Sequence, residues 1–241
     1  MDKAIVIENL SKTYKNDRGI QDINLEVERG EIFGFLGPNG AGKSTAMKIM
    51  VGLMKADKGD VWINGYSVTK DYEQAMKNVG SIIENVVPFS YLTAYDNMKL
   101  SGRFNSQIDE GRIDNCLEIT GLIKYKNEKV KNYSLGMKQR LGLAMAILSK
   151  PNILILDEPF NGLDIQGMVE MRELIINLSA QENTTFFISS HLIHDIELTC
   201  NKVGILYNGK LLGVDSTKNI LKNYSSLENY YLSEVDLNGD S

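Results

Sequence analysis

A chain of 241 residues with 43% hydrophobic and 24% charged side chains has the make-up of one or two compact lobes. Its 26 basic and 31 acidic residues leave a net charge of −5, which argues against a nucleic-acid binder with its usual basic footprint. No run of about 18 or more apolar residues occurs, so no segment is expected to cross a bilayer, and any work at a membrane requires a partner that carries the spanning helices.

The opening MDKAIVIENL lacks the apolar stretch of a secretory leader, so none is expected. Cys116 and Cys200 form no CxxC pair and are expected to be free thiols in a reducing compartment. Residues 1–90 carry short β-like runs at Ala4–Ile7, Ile23–Val27, Ile32–Leu36, Val61–Ile63 and Val79–Ile83, punctuated by turn signals such as Asn64-Gly65. One helical run, Lys43–Gly52, interrupts them. Residues 91–150 read as helical. Thr93 and Asp96 form a capping box, with Met98, Leu100 and Phe104 following, then Leu117, Ile119 and Leu122, then an apolar face at Leu135, Leu141, Ala144, Met145 and Leu148. Residues 151–215 return to alternation. Strands are predicted at Ile153–Leu156, Thr185–Ser189, Val203–Tyr207 and Lys210–Val214, and helices at 166–180 and 192–199, which implies a parallel α/β sheet. In the tail, 216–241, Ile220, Leu221 and Tyr224 suggest a short helix, and Asp236 to Ser241 are expected to fray.

Two constellations carry chemistry. Gly37-Pro38-Asn39-Gly40-Ala41-Gly42-Lys43-Ser44-Thr45 matches G-x-x-x-x-G-K-[ST] between a predicted strand and a predicted helix. The glycines let the backbone curl so that successive N–H groups can cradle phosphate oxygens, and the helix N-terminus adds its dipole. Lys43 can reach the β- and γ-phosphates, and the Ser44 hydroxyl can bind magnesium. Farther on, Ile153–Leu156 ends in Asp157 and Glu158. Acids at the carboxyl end of a buried parallel strand lie where ligands bind in open α/β sheets. Asp157 can hold the metal, and Glu158 can activate an attacking water as general base.

In this order the motifs resemble the ATP-binding-cassette family. Tyr133-Ser134-Leu135-Gly136-Met137-Lys138-Gln139-Arg140 looks like its signature sequence, Asn161-Gly162-Leu163-Asp164 like its D-loop, and His191 like its switch histidine. Tyr14 sits where that family stacks an aromatic ring on adenine. The resemblance covers roughly residues 3–215. It implies a P-loop ATPase with a RecA-like parallel-sheet core, an N-terminal antiparallel β subdomain and an inserted helical subdomain. The implied activity is ATP hydrolysis coupled to transport, with ATP and Mg2+ bound. Two such subunits, expected to be a homodimer, would sandwich each ATP between one phosphate loop and the partner's Ser134, Gly136 and Asp164. The implied location is cytoplasmic, docked on a membrane permease through residues 84–95, where Val86, Val87, Phe89, Tyr91 and Leu92 form either a receiving surface or part of the helical lobe's core. The rival readings are a soluble cassette ATPase without a transport role, the ATPase subunit of an importer, and a regulatory module without turnover.

Two departures from the family pattern stand out. The signature reads Ser-Leu-Gly-Met-Lys in place of the commoner Leu-Ser-Gly-Gly-Gln. After the strand Val79–Ile83, Glu84 stands where the family usually has a glutamine near magnesium. A carboxylate is a good magnesium ligand but adds negative charge beside the γ-phosphate. Both features are similar to the bacitracin-resistance and lantibiotic-immunity branch, which implies export of membrane-active peptides.

Overall fold

The structure, a computed structural model, describes residues 3–15, 18–84, 88–103, 105 and 108–238. Phe104, Val86 and Val87 lie outside the described residues. The larger sheet has six strands in the order β10-β9-β3-β8-β7-β6, built from β3 (Ile32–Leu36), β6 (Val79–Ile82), β7 (Ile153–Asp157), β8 (Thr185–Ser190), β9 (Lys202–Tyr207) and β10 (Lys210–Ser216). Its pairs are parallel except the edge hairpin of β9 with β10. That hairpin gives the otherwise parallel sheet one antiparallel edge. The turn Asn208-Gly209 has positive φ at both residues, which is the backbone of a tight hairpin.

The central strands β3, β7 and β8 are buried throughout, and period-two alternation divides their side chains between two cores. Ile32, Leu36, Leu154, Leu156, Phe186 and Ile188 face one; Phe33, Phe35, Ile153, Ile155 and Phe187 face the other. Phe33 stacks on Phe187 with ring centroids 5.2 Å apart. The first core is covered by helices, including α3 (Ala94–Gly102), α4 (Glu110–Ile119), α5 (Leu135–Ala146), α6 (Ile165–Glu182) and α7 (Ile193–Thr199). The second is covered by α1 (Lys43–Met50) and a four-stranded antiparallel sheet, order β2-β1-β4-β5, made of β1 (Lys3–Thr13), β2 (Gly19–Glu28), β4 (Lys58–Ile63) and β5 (Tyr66–Ser67). β1 and β2 are longer than their apolar runs suggest, because cross-strand pairing carries polar residues such as Lys12 and Glu28 into the ladder. The Thr93 capping box forms as expected: its hydroxyl accepts from Asp96 N–H at 3.0 Å.

Short elements escaped the pattern. The sequence reading did not foresee β5 or the five-residue helix α2 (Tyr72–Met76). The tail is a second correction. After α8 (Thr217–Asn223), helix α9 runs from Leu227 to Asn238, so Asp236 continues a helix instead of fraying. Leu227 and Tyr230 anchor α9 in the first core, and this tertiary docking holds a sequence with no strong periodicity in helical form.

Cys116 and Cys200 are free and buried. Burial pushes the Cys116 thiol up to about 11 and that of Cys200 higher still. Thiolate, the reactive form, is therefore scarce at neutral pH in the folded chain. Neither cysteine should be alkylated under native conditions at pH 7, and both should react after unfolding. Mass spectrometry of native protein carrying one adduct would contradict this.

Candidate nucleotide site

Three strand ends converge at one edge of the large sheet. β3 leads into the Gly37–Thr45 loop, β7 ends at Asp157 and Glu158, and β8 between them ends at Ser189 and Ser190 before His191. The register aligns them: Leu36 pairs with Ser190, and Asp157 with Ser189. Such a carboxyl edge, with a helix starting above it, is where open α/β sheets take ligands.

The loop is held from both sides. Gly37 N–H donates to the Ser190 carbonyl at 3.2 Å, and Gly209 N–H donates to the Ala41 carbonyl at 3.1 Å. Gly42 caps α1 with φ of 109°, and a Cβ there would stand 2.5 Å from Ile20 Cγ2, so only glycine fits. Lys43, 5% exposed, donates to the carbonyls of Gly37 at 2.6 Å and Pro38 at 3.2 Å. Its Nζ also lies 3.1 Å from Glu158 Oε1. Pro38, Asn39, Gly40, Gly42, Lys43, Ser44, Thr45 and Glu158 together line a cavity of about 200 Å³.

Glu158 is fixed from several directions. Its φ is +50°, which turns the chain sharply off the strand. Its N–H donates to Ser189 Oγ at 3.0 Å, and its Oε2 lies 2.9 Å from His191 Nδ1. Ser189 in turn donates its hydroxyl to Asp157 Oδ1 at 2.5 Å. Ser189 was not singled out from the sequence. Its signal was there: a polar residue at the end of an apolar strand, just before His191.

A larger cavity, about 490 Å³, is lined by Ser44, Glu84, Asp157 and Glu158 and by Leu135 and Gln139 of α5. Gln139 Nε2 donates to the Asn161 carbonyl at 2.7 Å, joining α5 to the loop after Glu158. Glu84 turns with φ of +62° at the end of β6, and its carboxylate pairs with Lys48. That hydrogen bond raises the Lys48 pKa above its ordinary value.

Tyr14, from the turn after β1, points its hydroxyl at Thr45 Oγ1, 3.2 Å away, and leaves its ring partly exposed beside α1. Ser134, Gly136 and Asp164 line a different cavity from that of the phosphate loop. Ser134 Oγ caps α5 by accepting from Met137 N–H at 3.2 Å, and Asp164 caps α6 by accepting from Gly167 N–H at 2.8 Å. The two helix N-termini share a cavity of about 320 Å³. Lys43 is not among the residues that line this second anion-seeking surface.

Among the described residues, no three His, Cys, Asp or Glu side chains gather as a self-sufficient metal cage. Magnesium takes hard oxygen ligands and is commonly held by one or two carboxylates plus substrate phosphates. The Ser44 hydroxyl and the Asp157 and Glu84 carboxylates, whose residues line the same cavity, are a donor set of that kind. No helix among the described residues is long and apolar enough to cross a membrane.

The strand-loop-helix with its facing acids defines a P-loop ATPase. The family model described as "ABC transporter" matches residues 20–161. The bacitracin transport ATP-binding protein BcrA of Bacillus licheniformis is 42% identical over 212 residues, 88% of this chain and 69% of its own. The lantibiotic transport ATP-binding protein SrtF of Streptococcus pyogenes is 38% identical over 206 residues, covering 86% of this chain and 88% of its own. A solved ATP-binding subunit of an ABC transporter superposes with a TM-score of 0.82 at 27% identity, covering 96% of this chain and 99% of its own. The chain belongs to the ATP-binding subunits of the ABC transporter family. It is an ATP-hydrolysing subunit, of a kind that works with membrane permease components.

Proposed function

We propose that this subunit drives export of an antimicrobial peptide or similar amphipathic compound, and that it does so as a homodimer on the inner face of the cell membrane. The similarity to BcrA and SrtF and the Glu84 and Ser134–Lys138 departures support the exporter reading. The observation that carries the catalytic reading is Glu158, set between Lys43 and His191 at the end of β7.

In this reading the backbone amides of Gly37–Thr45 grip the triphosphate, and Lys43 leaves its loop carbonyls for the phosphate oxygens. Tyr14 flanks the base. Ser44, Asp157 and Glu84 would hold magnesium, which when bound would neutralise charge on the phosphates. Glu158 takes a proton from the attacking water, and His191 reports the γ-phosphate to the fold. Ser134 and Gly136, with Asp164 beside them, present their helix N-termini to the nucleotide of a second copy. Closure is then favoured because ATP binds the paired state better than the open one. The segments 1–90, 91–150 and 151–215 act as the two core halves and the helical arm between them, with 216–241 a docked tail. Phe89, 49% exposed, and Tyr91, 65% exposed, stand on the surface with ring centroids 5.8 Å apart, which favours the permease-receiving role over a core role for these two.

Deleting the gene in its host should lower the minimal inhibitory concentration of peptide antibiotics of the bacitracin or lantibiotic type, and the wild-type gene should restore it. Unchanged sensitivity across both classes, with ATPase activity intact in the purified protein, would sink the export reading.

A further inference from the structure

We propose that Lys48 is a positioning residue for Glu84: its ammonium tethers the Glu84 carboxylate at the larger cavity, which Glu84 lines together with Ser44 and Asp157. This rests on the reading of Glu84 as a magnesium ligand. Ser44 and Lys48 are four residues apart on α1, so they lie one turn above another on the same helix face. β6 runs parallel to β7 with Ile82 opposite Leu156, which delivers Glu84 beside the Asp157–Glu158 strand end. The Glu84 side chain is 64% exposed, so little packing orients it. The ion pair with Lys48 supplies that orientation.

Charge balance points the same way. Three carboxylates meet at this edge, and each has its own partner: Glu158 has Lys43 and His191, Asp157 has the Ser189 hydroxyl, and Glu84 has Lys48. A glutamine at position 84 would need no counter-cation. A glutamate there adds a charge that repels a triphosphate unless a cation stands against it. Lys48 is the cation in contact, and a single ionic tether converts a repelling side chain into a fixed oxygen donor.

The test is binding of the non-hydrolysable analogue AMP-PNP, by calorimetry, in excess EDTA and again in excess magnesium. The ratio of the two affinities is the gain from magnesium, and it largely cancels the direct attraction between Lys48 and the phosphates. Lys48→Met should cut that ratio by about fivefold or more when Glu84 is present, and by under about twofold in a Glu84→Gln background, a coupling of ordinary size for residues in contact. Lys48→Arg, which keeps the charge and reach, should retain most of the ratio. Thermal midpoints of all variants check folding. An equal effect of Lys48→Met on the ratio in both backgrounds would overturn the tether. A separate failure is visible too: if Glu84→Gln alone leaves the ratio unchanged, the magnesium-ligand reading of Glu84 falls, and the tether with it.

Discussion

Replacing Glu158 with glutamine is expected to leave a protein that binds ATP and pairs on it but scarcely turns it over. The amide keeps the side chain's size and can still contact Lys43 and His191, whose atoms lie 3.1 Å and 2.9 Å from the carboxylate. What it loses is basicity. A positioned general base contributes about 10²–10⁴-fold to rate, so turnover should fall by about that factor. The backbone turn is untouched, because the amide N–H of residue 158 keeps its bonds to Ser189. Phosphate release measured with the purified chain and with its permease, alongside size-exclusion chromatography with and without ATP, checks both halves. Wild-type turnover would remove Glu158 as the base; loss of ATP-dependent pairing would show that the charge is needed for binding as well.

Lys43→Ala attacks the same centre from the phosphate side. The ammonium is buried and bonded to two carbonyls of its own loop, so the side chain is pre-positioned at the mouth of the nest. Removing a charge-stabilising donor of this kind costs about 2–4 kcal/mol of transition-state stabilisation, which is about 30- to 1000-fold in rate. Affinity for ATP should fall as well, since the cation meets the phosphates in the ground state. The loop should stay folded, because its outer contacts to Ser190 and Gly209 are backbone bonds. An unchanged steady-state rate at saturating ATP would show that Lys43 has no such role. The two substitutions separate cleanly: Glu158→Gln should spare binding and Lys43→Ala should not.

Much of the fold was legible because its signals are local. The buried runs Ile32–Leu36, Ile153–Leu156 and Thr185–Ser189 are short, apolar and bounded by turns, and all three became central strands of the larger sheet. The Thr93–Asp96 box needs only residues three apart. What escaped was non-local. The tail helix α9 depends on docking against α7 and the β9–β10 hairpin.

The amino-acid order alone determined the phosphate loop, the acids after Ile153–Leu156, and hence the kind of ligand the chain takes, because glycine conformation and strand-end chemistry are properties of consecutive residues. Only the tertiary structure decided which distant groups share a contact: Lys43 and His191 on one carboxylate, Ser189 on both acids, Lys48 on Glu84. Parallel register sets those meetings by lining up the ends of strands that are more than a hundred residues apart in the chain, as β3 and β8 are, and no window of sequence contains that alignment.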